Sequence, residues 1–131
     1  MLIGEIVRKT GLSKDTIRSY EAIGLLHSSP REAGSRIYRD YDDQTYERLA
    51  IIAMAKRLQF SLKELVAPID RLLSDNITRG ERAAIMREKI AEVDQRIAEL
   101  QSAKLDLIRF AEEPEKDIAQ SRMKELGLWY E

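Results

Sequence analysis

The feature that most constrains the fold of this chain is a regular apolar repeat in its second half. From residue 83 to residue 111, apolar side chains recur at alternating steps of three and four, which is the a/d seam of a heptad repeat. The repeat predicts one helix of roughly 34 residues, about 78–112, with a length of about 50 Å. The short tail that follows cannot cover so long a stripe, so the helix needs a partner. The seam positions expected at that interface are Met86, Ile90, Val93, Ile97, Leu100 and Leu107.

The economical partner for this helix is a second copy of the chain, because closed two-fold pairing is the commonest form of oligomer. Heptads define a seam more firmly than a direction, so periodicity leaves parallel and antiparallel pairing open. Lys104 stands at a seam position, where a charge lowers stability and sets register or orientation. The alternatives are a lone solvated helix and an intrachain hairpin.

A helix-turn-helix pattern stands near the start of the chain. Gly11 ends a short first helix and Ser13 supplies a cap for a second, which we place at about 14–23. At about 100° per residue, Ile17 and Tyr20 fall on the inner side of the second helix. The opposite, polar face carries Lys14, Asp15, Arg18, Ser19 and Ala22. Such a face fits a DNA major groove, where arginine reaches guanine edges or phosphate and lysine reaches phosphate. The alternative is an ordinary solvated surface.

The stretch 28–41 has the composition of a hairpin, or wing. Pro30 and Gly34 punctuate it, and the run from Ile37 to Tyr41 favours a strand. Its arginines and tyrosines interleave, as Arg31, Arg36, Tyr38, Arg39 and Tyr41. Guanidinium and phenol groups mixed in this way suit phosphate binding. The alternative is a surface hairpin whose tyrosines pack inward.

Two further helices complete the first domain. Asp42 or Asp43 is expected to cap the first of them, and a capping box opening at Ser61 is expected to begin the second. Pro68 lies inside the second helix and is expected to kink or split it. Another capping box, opening at Thr78, begins the long helix.

Composition excludes several classes of site. The chain has no cysteine, which excludes disulfides, thiolate metal sites and thiol redox switching within it. His27 is the only histidine and is expected to be a loop or DNA-side residue, so neither a metal site nor a cofactor is expected. The chain lacks a Gly-rich phosphate loop and a nucleophile with a nearby histidine, so an enzyme is not expected.

The N-terminus does not have the form of a secretory signal, and no apolar run approaches the roughly 20 residues that span a bilayer. A cytoplasmic protein without membrane contact is therefore expected. Charge is divided unevenly: residues 1–63 hold 11 Lys and Arg against 8 Asp and Glu, a net of +3, whereas 64–131 hold 11 against 15, a net of −4. The positive half carries the helix-turn-helix pattern, which agrees with a nucleic-acid partner.

Short motifs recur at fixed spacings over about residues 2–70. They are Ile3-Gly-Glu-Ile6, Thr10-Gly-Leu-Ser13, Thr16-Ile-Arg18, Tyr20-Glu21, Gly24-Leu25-Leu26, Tyr38-Arg39 with Tyr41, Arg48-Leu49 and Phe60-Ser-Leu62. Together they resemble the MerR family of bacterial transcription regulators, whose dimerisation helix the long helix matches in kind. Ser19 departs from the tyrosine usual there, which alters one DNA contact. Ile37 and Gln59 replace the usual glycines, which implies local backbone adjustments.

The resemblance implies a mainly α fold. It comprises an N-terminal winged helix-turn-helix domain, a long dimerisation helix that forms an antiparallel coiled coil, and a short C-terminal helical tail. The DNA-binding positions are then Lys14, Thr16, Arg18, Ser19, Tyr20, Arg36, Tyr38 and Arg39. Family members bind promoters with over-long spacers and distort the DNA so that its two elements realign. The implied partners are double-stranded promoter DNA, a second copy of the chain and RNA polymerase.

The expected domains are 1–75, 78–112 and 113–131. In the family, the end of the long helix and the tail form the effector site. Without cysteine, the tail either binds a small-molecule effector in an aromatic pocket that includes Trp129 and Tyr130, or locks the coil in an effector-independent regulator. Two other functions remain open: a coiled-coil protein-protein adaptor with a helix-turn-helix-like head, and an excisionase-like architectural DNA binder, which does not need the long seam.

Overall fold

The computed structural model describes residues 1–112 and 115–128, with the backbone alone at 115–119. The chain divides into two compact units, residues 1–85, here called the head, and residues 86–131. Its elements are α1 (Ile3–Thr10), α2 (Lys14–Ala22), β1 (Ser28–Ala33), β2 (Arg36–Tyr41), α3 (Thr45–Arg57), α4 (Leu62–Leu72), α5 (Arg79–Glu112) and α6 (Glu115–Glu125). The mainly α fold, with a small wing, one long helix and a short last helix, confirms the expected class.

The first two helices form the helix-turn-helix that the sequence predicts. α1 buries Ile6 and ends at Gly11, whose φ of 74° is the left-handed conformation that suits glycine at a helix end. α2 follows Ser13, whose hydroxyl accepts the backbone N–H of Thr16 at 3.1 Å. Ile17 is fully buried, which turns the opposite side of α2 away from the core.

The two strands form the predicted wing. They pair antiparallel, from Ser28 opposite Tyr41 to Ala33 opposite Arg36. Gly34, with φ 66°, stands first in the two-residue turn, where a hairpin turn requires a positive φ. Residues 29–39 are all exposed, whereas Tyr41 is 2% exposed. The wing therefore projects from the head and is anchored at one end.

The core of the head joins residues from α1 to α4, from β2 and from the segment that follows α2. It consists of Ile6, Ile17, Tyr20, Leu25, Leu26, Tyr41, Leu49, Ile52, Ala55, Leu65 and Ile69. Arg48 is buried beside them, and its Nη1 lies 3.2 Å from the carbonyl oxygen of Leu25 and 2.7 Å from Asp70 Oδ1. Arg48 thus ties the segment that leaves α2 to both α3 and α4.

Two expected helix caps are wrong in detail. Neither Asp42 nor Asp43 is the N-cap of α3; that residue is Gln44, whose N–H donates to Asp42 Oδ1 at 3.1 Å. Ser61 is the N-cap of α4, but its side chain makes no cap hydrogen bond. Thr78 does cap α5, because its hydroxyl accepts the backbone N–H three residues later at 3.1 Å. A cap needs one particular side-chain rotamer, which residue spacing alone does not select.

The split expected at Pro68 does not occur. α4 runs unbroken from Leu62 to Leu72 with Pro68 inside it. Leu65 and Ile69, on either side of the proline, are both buried in the core. Packing of both residues against the core offsets the backbone hydrogen bond that proline removes, so the helix continues through it.

Local backbone adjustments are expected at Ile37 and Gln59, where the family usually has glycine. Ile37 pairs in the regular register of the wing. Gln59 keeps a left-handed φ of 60°, and among the described residues it is the only non-glycine with a positive φ. Its N–H donates to Lys56 O at 3.0 Å and the next N–H donates to Ala55 O at 2.9 Å, which completes a Schellman motif. Gln59 therefore takes the conformation that glycine takes most easily.

The apolar stripe of α5 stays uncovered among the residues that the structure describes. None of the helix's residues is buried. Exposure at the seam is 58% for Ile90, 48% for Ile97, 70% for Leu100 and 69% for Leu107. α6 contacts α5 through an ion pair between Arg122 and Asp106 at 3.6 Å, yet these seam residues stay exposed. The structure therefore gives no support to an intrachain hairpin that buries the seam.

Candidate nucleic-acid interface

The outer face of α2 presents most of the predicted contacts of the reading helix. Lys14, Arg18 and Ser19 are exposed. Lys14 and Arg18 are four residues apart, so their charges lie on the same side of the helix. Thr16 is half-buried, and its hydroxyl lies 2.9 Å from the hydroxyl of Ser13 in the helix cap. Thr16 therefore contributes to the start of the helix as well as to its surface.

Tyr20 does not lie on this outer face. The resemblance implied a DNA contact, but the residue is 6% exposed and belongs to the core of the head. Its hydroxyl accepts a hydrogen bond from Lys56 Nζ at 3.4 Å. The inner-face position that helical periodicity predicted for Tyr20 therefore agrees with its burial. The contact also brings the ammonium of Lys56, which sequence reasoning did not single out, next to the reading helix.

The wing supplies the other predicted contacts. Arg36, Tyr38 and Arg39 are all exposed. Because side chains alternate along a strand, Arg36 and Tyr38 point to one face and Arg39 to the other. Arg31 pairs with Tyr38 across the strands and so lies on the same face as Tyr38. One face of the wing thus carries two guanidinium groups beside an exposed phenol.

Glu21 connects the reading helix to the wing. Its carboxylate, 16% exposed, accepts hydrogen bonds from the hydroxyl of Ser28, from Arg39 Nη1 at 3.2 Å and from the Tyr41 hydroxyl at 2.9 Å. These donors come from both strands. Glu21 lies within one of the motifs of the family resemblance, but the sequence alone indicated no role for it. The available signal was its position on the side of α2 next to Tyr20, which is an unusual place for an acid.

The same carboxylate affects the chemistry of Tyr41. Burial, together with the hydrogen bond to Glu21, raises the pKa of the Tyr41 phenol to about 12. The phenol therefore stays protonated, and remains a hydrogen-bond donor, throughout the neutral range.

An open cleft of about 570 Å³ lies between α2 and the wing. Its walls include Arg18 from the reading helix together with Tyr38 and Arg39 from the wing. Ala22 and Ile37 add apolar surface. Two cationic groups, a phenol and apolar patches in one concave site match the phosphates and sugars of a DNA strand. Residues from separate parts of the sequence thus meet in one place.

His27 contacts α4. Its Nε2 lies 3.1 Å from Asp70 Oδ1, the oxygen that also pairs with Arg48. Burial alone would raise the pKa of Asp70, but hydrogen bonds from His27 and Arg48 outweigh it and hold that pKa below its usual range.

Within residues 1–112 and 115–128, His, Asp and Glu form no group suited to a metal ion. The same residues include no helix long and apolar enough to cross a membrane. The proposed effector positions Trp129 and Tyr130 lie outside the described part of the chain.

Two family models match the chain over most of its length. The model of the MerR HTH family regulatory protein matches residues 1–72, which include α1 to α4 and the wing. A second model, described as MerR, DNA binding, matches residues 46–110 and so extends along most of α5.

Individual relatives agree with these matches. The HTH-type transcriptional regulator ZntR of Escherichia coli K12 is 37% identical over 109 residues, which cover 82% of this chain and 75% of the relative. The HTH-type transcriptional regulator CueR of Salmonella typhi is 32% identical over 115 residues, 86% of this chain and 80% of the relative. The HTH-type transcriptional regulator HmrR of Sinorhizobium medicae is 34% identical over 101 residues, which cover 77% of this chain and 67% of the relative.

Proposed function

The chain belongs to the MerR family and is a DNA-binding transcription regulator, and from this premise we propose that it acts as a homodimer that holds two half-sites of a promoter and distorts the DNA between them. The observation that carries this proposal is the uncovered seam of α5, where Leu100 and Leu107 are 70% and 69% exposed. A stripe of this length favours pairing with a second copy, in the antiparallel direction that the family resemblance implies.

Within each head, the contacts divide into those that read and those that position. Arg18, on the exposed face of α2, is the residue suited to guanine edges. The positioning contacts to phosphate come from Lys14, Thr16, Ser19, Arg36, Tyr38 and Arg39, with Lys56 added by its place beside α2. Tyr20 contributes packing beneath the reading helix.

The distortion follows from a fixed distance between two heads. When the half-site separation of relaxed DNA differs from the separation that the dimer offers, the DNA must bend or untwist to bind both heads. Bending a site of 20 to 30 base pairs costs on the order of 1 to 6 kcal/mol, which additional phosphate contacts offset. RNA polymerase then meets two promoter elements in a changed alignment.

A small-molecule effector, held without thiolates, is proposed to act at the tail. The support is the aromatic pair Trp129 and Tyr130 at the end of a chain that has no cysteine. An aromatic pocket suits an organic effector. If deletion of residues 114–131 left induction in cells unchanged, this part of the proposal would be wrong and the regulator would act without an effector.

The deciding experiment is footprinting of the purified protein on the promoter region upstream of its own gene, at a stated salt concentration. We expect protection of two symmetric half-sites, with enhanced cleavage between them where the DNA is distorted. Sedimentation of the same sample should show a dimer. The variant Arg18→Ala is expected to retain binding but to lose sequence preference.

Other outcomes would redirect the assignment. Protection of a single site by a monomer would favour the excisionase-like alternative. Weak, unsymmetrical binding that disappears at moderate salt would leave only nonspecific phosphate attraction. In that case, and if Arg18→Ala changed nothing, the protein-protein adaptor would be the better reading.

A further inference from the structure

The acid at the centre of the proposed DNA interface is difficult to explain by electrostatics. Glu21 is one of the residues that line the cleft between α2 and the wing, where Arg18 and Arg39 provide positive charge. A carboxylate at that place repels the phosphates that the cleft is proposed to bind. An interface built only for charge attraction would have a neutral residue there, so Glu21 must contribute something that outweighs the repulsion.

The wing needs such a contribution because it has almost no core of its own. Residues 29–39 are all exposed, and an isolated two-stranded hairpin is marginally stable at best in water. Tyr41 is the buried hydrophobic anchor at the base of β2. Glu21 accepts a hydrogen bond from that anchor and from Ser28 on the other strand, so it joins both strands to the reading helix.

Arg39 is held by the same carboxylate. Its Nη1 donates to Glu21 Oε2 at 3.2 Å, while its side chain remains 66% exposed. A guanidinium carries five N–H groups in a rigid fork, so the groups turned away from Glu21 remain available for phosphate. Pairing at one edge orients the fork and reduces the side-chain entropy that would be lost on binding.

We propose that Glu21 is a positioning residue of the DNA interface, which locks the wing to the reading helix and presents Arg39 to a DNA phosphate. The inference rests on the proposed function for the sequence-specific complex, but its central step is a phosphate contact, which any duplex offers. The two proposals can therefore fail separately.

The variant Glu21→Gln tests the proposal by the sign of its effect. Loss of one negative charge near phosphate should tighten binding if electrostatics alone decides. Positioning predicts the opposite: binding to a duplex of random sequence about tenfold weaker, measured by fluorescence anisotropy at fixed salt, because a charge-assisted contact is lost. Glu32→Gln is the matched control, since Glu32 is an exposed wing acid whose neutralisation should leave binding equal or slightly tighter.

The salt dependence identifies the contact that is lost. Each phosphate contact contributes about 0.9 to the slope of log K against log salt. Glu21→Gln and Arg39→Gln should each lower the slope by about this amount, and the double variant should lower it no further than either alone. This non-additivity would show that Glu21 acts through Arg39 and not through general stability.

Two results would overturn the proposal. One is binding by Glu21→Gln that equals or exceeds the wild type, as charge removal alone requires. The other is a loss that adds fully to that of Arg39→Gln and leaves the salt slope unchanged. If Glu21→Gln does not fold by circular dichroism, Tyr41→Phe replaces it, because it removes a single donor to Glu21 and should give a smaller loss in the same direction. If the wild-type chain bound a random duplex but protected no half-sites, the proposed function would be contradicted. The effect of Glu21→Gln on binding to the random duplex could still be measured.

Discussion

The head and the long helix are both rich in apolar residues, yet only the head buries them. In the head, Ile6, Ile17 and Ile69 have no exposed surface. In α5, no residue is buried, and Leu100 is 70% exposed. The two regions therefore differ in whether their own chain covers their apolar side chains.

The difference depends on the number of elements that supply the apolar residues. Four helices and a strand of the head contribute to one cluster, so each element covers another. α5 offers a single stripe, and none of its residues is buried by the part of the chain that the structure describes. Apolar content is thus a poor guide to where a core forms, because burial needs a facing surface. The head buries its apolar residues within one chain, whereas α5 is proposed to bury its stripe against a second copy.

The largest expected effect would come from charging the seam. Changing Ile90 and Ile97 together to Glu places four carboxylates in the apolar interface of the proposed dimer, where burial of a charge is costly. We expect the dissociation constant of the dimer to rise by roughly a thousandfold or more. Sedimentation velocity over a range of protein concentrations measures this change, and the circular dichroism of the head should persist.

Ile69→Ala is the contrasting variant, because Ile69 is fully buried in the head. It should lower the free energy of unfolding of the head by about 3 kcal/mol and leave the dimer dissociation constant unchanged. If the doubly charged seam variant sedimented as the wild type does, the seam would not be the dimer interface. The apolar stripe would then have some other purpose.

A smaller effect is expected where the head depends on one buried hydroxyl. The pKa of Tyr41 is about 12 in the folded chain, above its ordinary value of 10. Folding therefore favours the protonated phenol, so this stabilisation is complete below pH 10 and is lost as pH rises from 10 to 12. The expected loss is about 1 kcal/mol by pH 11, measured by urea unfolding at a series of pH values.

Tyr41→Phe isolates this contribution, because phenylalanine cannot titrate. The difference in unfolding free energy between the wild type and the variant should narrow as pH rises from 9 to 11. A difference that stayed constant over that range would mean that the folded chain does not hold the phenol proton.

An effect of similar size, but one that stabilises the head, is expected from Gln59→Gly. Gln59 has a φ of 60°, a conformation that is strained for a residue with a Cβ. Glycine should raise the unfolding free energy of the head by about 1 kcal/mol, which corresponds to about 4 °C in melting temperature.

Gly24 provides the matched reverse substitution, since it ends α2 with the same pair of hydrogen bonds and a φ of 93°. Gly24→Ala should destabilise the head, because a Cβ there would lie 3.3 Å from Val66 Cγ1 as well as in a left-handed conformation. If Gln59→Gly lowered stability instead, the Gln59 side chain would have to make a favourable contact that offsets the strain.

Most of the fold could be predicted from local signals. The cap at Ser13, the turn at Gly34 and the period of α5 each involve residues close in sequence, so spacing alone was sufficient. The outer face of α2 followed from helical geometry, which placed Lys14 and Arg18 together. These predictions succeeded because a short segment contains all of the atoms that decide them.

The features that local signals did not give depend on distant neighbours. Pro68 does not split α4 because buried Leu65 and Ile69 hold it against the core. The family resemblance implied a DNA contact for Tyr20, whereas tertiary packing places its ring in the core. The role of Glu21 requires Tyr41, a residue 20 positions later whose hydroxyl comes to within 2.9 Å only in the fold.

The sequence by itself thus determined the order of the elements and the direction in which each helix face points, because capping, turns and periodicity act over a few residues. Only the tertiary structure decided that Arg18, Tyr38 and Arg39 share one cleft and that Glu21 joins its two walls. Hydrogen bonds between separate segments form only when packing has fixed the distance between them, and no spacing along the chain contains that distance.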